Sequence, residues 1–298
     1  MRTIFFKHLK EIMKENESLF LVSADMGLGL IEPFQQEFPH RFINVGIAEQ
    51  NMAGVAAGLC NSGFRPVCYT ISNFLVERCF EQIRNDICYH NYPVILVGTS
   101  TGFDNGMLGP THHVIDDIGA MKILPEMEIY SPSTVEFSNL IFQEVMKSNK
   151  PSYIRIGKGA FDIPLENKKI NQMIIKNHKS DILIITHGTL FETCLSIAKE
   201  LDNISLYCMN KIKPLNTEEL NSNISEFSKI IVVEEHLKNS GLYNSLCQHL
   251  IESGLNNKLY SISVPNEYSP EVGDRDYFLN KYGLNKDKIK EFIKKIYN

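Results

Sequence analysis

Short apolar segments alternate with longer amphipathic ones along most of the chain, and no other feature of the sequence constrains the fold as strongly. In the first 165 residues the predicted strands are Leu19–Ala24, Phe42–Gly46, Pro66–Ile71, Val94–Gly98, Glu128–Ser131 and Tyr153–Ile156. The predicted helices between them are Glu49–Cys60, Asn73–His90, Ile115–Met121 and Ser133–Ser148. Ser133, followed three residues later by Glu136, predicts the start of the last helix. This alternation predicts a mainly parallel sheet with helices on both faces.

The alternation breaks after the sixth predicted strand and then restarts. Residues 158–180 hold a proline, lysines and asparagines with little periodicity, so we place a linker at 166–180. Beyond it we predict strands at Asp181–Thr186, Ile204–Cys208, Lys229–Val233 and Leu259–Val264, with a helix at Leu190–Leu201. The sequence therefore predicts an α/β fold with a first domain at 1–165 and a smaller α/β domain at 181–298.

Composition excludes several classes of partner. A net charge of −5 argues against nucleic acid. The seven cysteines are odd in number and form no Cys-x-x-Cys pair, which indicates a reducing compartment and gives no zinc spacing. No apolar run is long enough for a signal peptide or a membrane span. We therefore expect a cytoplasmic protein that acts on neither nucleic acid nor membranes.

Polar and aromatic residues follow the ends of several predicted strands. Because the carboxyl ends of parallel strands meet at one edge of a sheet, these residues are expected to share one rim. They are Asp25, Glu49, Asn73, Phe74, His112, His113 and Arg155. Glu49 is the most informative of them, since a carboxylate among apolar and small residues costs several kcal/mol if it is buried unpaired. Either Glu49 is solvated at a strand end, or it meets a polar group that needs a carboxylate.

The other rim residues leave alternatives open. Asn73 is a plausible helix N-cap, and Phe74 after it either packs in the core or forms a platform in a cleft. The segment 101–113 holds three glycines and a proline and delivers the pair His112-His113. Long glycine-bearing loops are often functional, whereas an arbitrary histidine pair is more often structural. No further ligands lie at a spacing suited to a metal site.

Three segments, in order and in register, resemble successive motifs of the transketolase family and of the related deoxyxylulose-phosphate synthases. They are GIAEQNM at 46–52, TISNFL at 70–75 and GPTH at 109–112. The second unit resembles the family's C-terminal domain through KPL at 213–215 and VVEEH at 232–236. The resemblance implies a pyrimidine-type domain that binds thiamine diphosphate, followed by a transketolase C-terminal domain.

The resemblance also implies roles at the cofactor. Glu49 matches the glutamate that hydrogen-bonds N1′ of the aminopyrimidine and favours the imino tautomer, whose 4′-nitrogen deprotonates the thiazolium C2. Phe74 matches the aromatic residue that stacks on the pyrimidine, and Phe80 is a second candidate. Asp25 matches an aspartate near the cofactor.

Substrate contacts are implied in the same way. His112 matches a histidine that contacts the donor's oxygens, and Arg155 matches an arginine that grips a sugar phosphate; the alternative for Arg155 is a surface ion pair. The resemblance also places Leu108 and His113 at the substrate. The family usually has aspartate where Leu108 stands, and often glutamine where His113 stands. Leucine in place of aspartate removes a hydrogen-bond acceptor from the site. We therefore expect an acceptor substrate that differs from ordinary pentose phosphates, such as a deoxy or modified sugar.

Full-length transketolases carry an earlier domain that binds the diphosphate and a divalent metal through a Gly-Asp-Gly segment. This sequence has no Gly-Asp-Gly. We therefore expect a separate N-terminal subunit to supply that site and its Mg²⁺ or Ca²⁺, in an assembly of two copies of each subunit. The isolated chain is then expected to be inert.

The leading hypothesis is the C-terminal subunit of a transketolase that moves a two-carbon ketol unit from a ketose phosphate to an aldose. Two alternative hypotheses keep the cofactor and change the reaction. They are a synthase that decarboxylates pyruvate and the β subunit of a 2-oxoacid dehydrogenase. The GPTH segment disfavours the dehydrogenase, and Leu108 and Thr101 weaken the synthase. A non-catalytic α/β scaffold subunit is the alternative from another class.

Overall fold

The computed structural model describes residues 1–159, 161–163 and 169–297. In these residues the strands are β1 (Leu19–Ser23), β2 (Phe42–Asn44), β3 (Arg65–Ile71), β4 (Ile95–Thr99), β5 (Glu128–Tyr130), β6 (Ser152–Ile156), β7 (Asn171–Ile175), β8 (Ile182–Thr186), β9 (Ile204–Met209), β10 (Lys211–Lys213), β11 (Lys229–Leu237) and β12 (Lys258–Val264). The α-helices are α1 (Arg2–Glu15), α2 (Glu32–Glu37), α3 (Glu49–Asn61), α4 (Ser72–Val76), α5 (Phe80–Gln82), α6 (Asp117–Lys122), α7 (Val135–Lys147), α8 (Phe191–Glu200), α9 (Thr217–Ile224), α10 (Leu242–Glu252), α11 (Arg275–Lys281) and α12 (Lys286–Tyr297). None of the helices in the described ranges is both long and apolar enough to cross a membrane.

The first sheet has seven strands in the order β10-β5-β6-β4-β3-β1-β2. All neighbours are parallel except β10, which runs antiparallel to β5. The register places Ser23 beside both Asn44 and Tyr69, and Thr99 beside Ile71. The carboxyl ends of the central strands therefore meet at one edge, and the predicted mainly parallel α/β fold is confirmed.

Helices cover both faces of this sheet. On one face α1, α2 and α7 close an aromatic core in which Phe6 contacts Phe34 and Tyr69 edge to face. On the other face α3, α4 and α6 pack over the sheet. The core on this second face continues into the second domain through Leu183 and Ile185 of β8. The two domains thus share buried apolar surface.

The second sheet has five strands in the order β12-β11-β8-β9-β7, all parallel except β7. Strand β7 lies inside the segment predicted as a linker, of which residues 166–168 are outside the described residues. It belongs to the sheet because 171–175 pairs antiparallel with β9. The predicted β8, β9, β11 and β12 and the helix α8 all form near their expected positions.

Two predicted helix starts differ from the structure. Thr134, not Ser133, caps α7, because its hydroxyl accepts the Phe137 amide at 3.2 Å. Asn73 lies inside α4 and caps nothing; its side chain turns inward and donates to the carbonyl of His113 at 3.0 Å. The single helix predicted over 73–90 is divided into α4, α5 and a π-helical turn at Ile83–Cys88.

Candidate active site

The ends of β1 and β2 are clamped together just before Glu49. The Asn44 side chain donates to the Asp25 carboxylate at 3.1 Å and accepts the Asp25 amide at 2.9 Å. The same Asn44 oxygen accepts the Gly46 amide at 3.0 Å. Gly46 has φ of +74°, a conformation that glycine adopts at little cost, and this turn directs the chain into α3. Glu49 is the first residue of α3, so the strand ends fix where its side chain begins.

The Glu49 carboxylate is buried and paired. Its side chain is 2% exposed, and its Oε2 accepts a hydrogen bond from Nη1 of Arg78 at 2.5 Å. The Arg78 side chain is 42% exposed, so one partner of this ion pair faces solvent and the other does not. The possibility that Glu49 is solvated is excluded, since the carboxylate meets a cationic group inside the protein.

Arg78 connects this carboxylate to Phe74 and, through the Phe74 ring, to His112. The guanidinium carbon of Arg78 lies 4.3 Å from the centroid of the Phe74 ring, within range of a cation–π contact. Phe74 also contacts the His112 ring edge to face, with centroids 5.3 Å apart. Thr111 Oγ1 lies 3.0 Å from Nδ1 of His112 and orients the imidazole. We call Glu49, Phe74, Arg78 and His112 the rim cluster.

Arg78 was not predicted from the sequence as a site residue. A usable signal exists, because Arg78 follows Phe74 by four positions. Residues four apart share one side of a helical turn, and this spacing favours contact between an arginine and an aromatic ring. The structure shows this contact even though α4 ends at Val76.

Phe80 and His113 lie outside the rim cluster. Phe80 is half-buried and packs against the core beneath the sheet. His113 is 4% exposed, and its ring contacts Phe103 at 5.2 Å and Phe278 of the second domain at 4.7 Å between centroids. Burial lowers the pKa of His113, which favours the neutral imidazole there. The geometry therefore supports neither a second cofactor ring at Phe80 nor a substrate contact at His113.

Arg155 lies in the interior, where neither interpretation from the sequence placed it. The residue is 3% exposed, and its guanidinium pairs with Asp117, with Nε 2.8 Å from Oδ2 and 3.1 Å from Oδ1. Nη2 donates to the carbonyls of Val114 at 2.9 Å and Glu235 at 3.2 Å. A central strand carries Arg155 beneath the site, so its donors face protein groups. A surface ion pair is ruled out, and the geometry does not support a grip on a sugar phosphate.

Leu108 stands at the exposed tip of the loop that carries His112. Its side chain is 59% exposed and that of Met107 is 65% exposed, so the tip is apolar. The base of the loop is held by a bridge in which the Gly102 amide and carbonyl pair with those of Val114, both at 2.8 Å. Across the described ranges, no three His, Cys, Asp or Glu side chains are grouped so as to hold a metal ion.

Two family models match the chain. One is the transketolase pyrimidine binding domain, over residues 1–163, and the other is the transketolase C-terminal domain, over residues 171–289. The fold is therefore that of the transketolase pyrimidine binding domain followed by the family's C-terminal domain. The chain belongs to the transketolase family.

Individual relatives agree with this assignment. The chain is 30% identical to an apulose-4-phosphate transketolase subunit of Actinobacillus succinogenes, covering 95% of this chain and 96% of that protein. It is also 30% identical to 1-deoxy-D-xylulose-5-phosphate synthase of Carboxydothermus hydrogenoformans, where 96% of this chain spans 47% of the relative. A split gene transketolase solved as an inactive β4 tetramer superposes with a TM-score of 0.85 at 28% identity, covering 99% and 96% of the two chains.

Proposed function

We propose that this chain is the C-terminal subunit of a thiamine-diphosphate-dependent transketolase. Together with a separate subunit that carries a Gly-Asp-Gly diphosphate site and Mg²⁺ or Ca²⁺, it would move a two-carbon ketol unit from a ketose phosphate to an aldose. The observation that carries the proposal is the buried Glu49 carboxylate, which Arg78 links to the Phe74 ring, with the His112 imidazole packed against that ring. The Actinobacillus relative is named as one subunit of its enzyme, and this name and the split gene of the solved neighbour support a two-chain enzyme.

The donor set of the rim cluster fits an aminopyrimidine ring. Such a ring needs a carboxylate in its plane and an aromatic face for stacking, and Glu49 and Phe74 offer these two groups. The planar guanidinium of Arg78 uses both of them at once, hydrogen-bonding Glu49 while lying over Phe74. A flat cationic N–H donor is therefore already accommodated here.

Each residue of the cluster has a separate task in this proposal. Bound thiamine diphosphate supplies the nucleophilic carbon and the electron sink for ketol transfer. Glu49 holds the hydrogen bond to the ring nitrogen, and burial strengthens that bond because water does not compete. Phe74 supports the ring from one face. His112, half-exposed beside Phe74, contacts the hydroxyl or carbonyl oxygens of the sugar.

Reconstitution of the two subunits tests the proposal. The wild-type pair with thiamine diphosphate and Mg²⁺ should transfer a ketol unit, and Glu49→Ala should lower kcat by roughly 10²-fold or more, as loss of proton-transfer assistance does. Glu11→Gln is the matched control, because Glu11 is exposed on α1 and pairs with Lys14. Full activity of the Glu49→Ala pair would contradict the mechanism and favour a scaffold role.

A decarboxylating synthase is the second candidate, favoured by the 30% identity to the Carboxydothermus enzyme. That reaction consumes pyruvate, whereas ketol transfer does not. Pyruvate-dependent release of carbon dioxide by the reconstituted pair, without ketol transfer, would favour the synthase.

For the transketolase reaction, the name of the Actinobacillus relative suggests a phosphorylated ketose as donor.

A further inference from the structure

The guanidinium of Arg78 contacts both groups that the proposed function assigns to the aminopyrimidine ring. Its Nη1 lies 2.5 Å from Glu49 Oε2, and its central carbon lies 4.3 Å from the centre of the Phe74 ring. A guanidinium is flat and carries N–H donors in its own plane. It therefore offers the same two features as the ring, a face for stacking and an in-plane donor for a carboxylate.

We propose that Arg78 occupies the pyrimidine position in the free chain and leaves when the cofactor binds. This inference rests on the proposed function and adds a competing residue to it. Arg78 and the ring use the same carboxylate and the same aromatic residue, so binding of the ring exchanges one partner of Glu49 for another.

The unequal exposure of the two side chains determines which of them moves. Arg78 is 42% exposed, so its guanidinium needs little rearrangement to reach water. Glu49 is 2% exposed and begins α3, which keeps its carboxylate in place. A buried carboxylate without a partner is costly, so Arg78 keeps Glu49 paired until the ring replaces it.

Two opposite effects follow from removing the guanidinium. Arg78→Met keeps an unbranched stem near Phe74 but leaves Glu49 without its cationic partner. The free subunit should then unfold at a lower temperature. The cofactor should bind more tightly, because it no longer displaces an ion pair and restores a partner to Glu49. We expect an affinity about fivefold higher, the factor that corresponds to an ion pair of this exposure.

The experiment is a calorimetric titration of thiamine diphosphate, with excess Mg²⁺, into the reconstituted two-subunit complex. Arg78→Met is compared with wild type, with Arg78→Lys, which keeps the charge but not the flat fork, and with Arg84→Met. Arg84 is exposed and hydrogen-bonds Asn85 at 2.7 Å, so its removal controls for loss of one positive charge nearby. We expect Arg78→Lys to lie between wild type and Arg78→Met, and Arg84→Met to match wild type.

A second readout does not depend on a variant that must fold. In the wild-type complex with ¹⁵N-arginine in this subunit, the Arg78 side-chain signal should shift when thiamine diphosphate is added. Equal or weaker binding by Arg78→Met, or an Arg78 signal that does not respond, would overturn the exchange while leaving the proposed function intact. Failure of the wild-type complex to bind thiamine diphosphate would overturn the proposed function and this inference together.

Discussion

The carboxylate of Glu235, in the second domain, accepts a hydrogen bond from the backbone amide of Phe103, in the first domain, at 2.7 Å. Glu235 also pairs with Arg275, whose Nη2 lies 2.7 Å from Oε2. The side chain of Glu235 lies so close to Gly102 that an added Cβ would stand 2.3 Å from its carboxyl carbon. The second domain therefore anchors the base of the loop that presents His112.

Gly102→Ala should destabilise the protein by two additive causes. The φ of +61° at position 102 strains any residue other than glycine, and the methyl group of the alanine collides with Glu235. We expect a loss of about 2–4 kcal/mol in the free energy of unfolding, measured with urea. Gly29→Ala is the control, because Gly29 has φ of +79° and open space around it, so it reports the strain alone. Equal losses at the two glycines would show that contact with Glu235 does not matter.

Arg155→Met should destabilise the fold because it leaves the buried Asp117 carboxylate without its cationic partner. Removal of one member of a buried ion pair costs about 3–5 kcal/mol in the free energy of unfolding. Lys150→Met is the control, since the ion pair of Lys150 with Glu126 is exposed. Its loss should lower the free energy of unfolding by less than about 1 kcal/mol. Adding Asp117→Asn to Arg155→Met should recover part of the loss. A loss below about 1 kcal/mol for Arg155→Met would contradict the assigned structural role.

Asp104 should make stability depend on pH. Burial, and next the nearby Glu235 carboxylate, raise the pKa of Asp104 to about 6. In the unfolded chain the pKa is near 3.9, so between about pH 4 and pH 6 the folded state binds more protons than the unfolded state. Stability from this group is therefore present at low pH and is lost as the pH rises through about 6.

Asp104→Asn removes this titration. The free energy of unfolding of the variant minus that of wild type should rise between pH 4 and pH 7, by at most about 3 kcal/mol. Carboxylates that do not interact with Asp104 titrate alike in both proteins and cancel in this difference. Asp287→Asn, at an exposed position on α12, is the control for loss of one carboxylate elsewhere on the protein. A flat difference for Asp104→Asn would refute the raised pKa.

Leu108→Asp should widen the range of acceptors. If the apolar tip excludes ordinary sugar phosphates, the new carboxylate should raise kcat/KM with erythrose 4-phosphate or ribose 5-phosphate by roughly tenfold, the value of one charged hydrogen bond. Met107→Asp places the same charge on the neighbouring exposed residue and should give no gain. The absence of a gain with both acceptors would count against a role for Leu108 in acceptor choice.

Three of the four residues of the rim cluster were accessible from the sequence because they follow strand ends or lie in a glycine-bearing loop. Glu49, Phe74 and His112 each come after a short apolar run, and parallel strands bring such positions to one edge. In the structure Glu49 begins α3 after β2, Phe74 lies in α4 directly after β3, and the His112 ring packs on Phe74. The order of strands and loops along the chain thus carries information about which residues follow the carboxyl ends of the strands.

The side-chain partners were not accessible in the same way. Arg155 pairs with Asp117, 38 positions earlier in the sequence. His113 packs on Phe278, which lies in the C-terminal part of the second domain. The first pairing depends on how α6 packs against the sheet of the first domain, and the second on how the two domains dock. No local sequence pattern reports either of these. The cap of α7 differs by one residue because Ser133 and Thr134 both carry a hydroxyl, and only the backbone direction decides which one reaches the helix.

Strand β10 has a consequence for how the protein holds together. It comes after three strands of the second sheet in the chain, yet it pairs with β5 at the edge of the first, where Lys211 lies 2.6 Å from Glu144. A fragment cut between the two family domains would lose this strand and expose the bare edge of β5, a template for aggregation. The boundary between the two family domains is thus not a boundary at which this molecule can be divided.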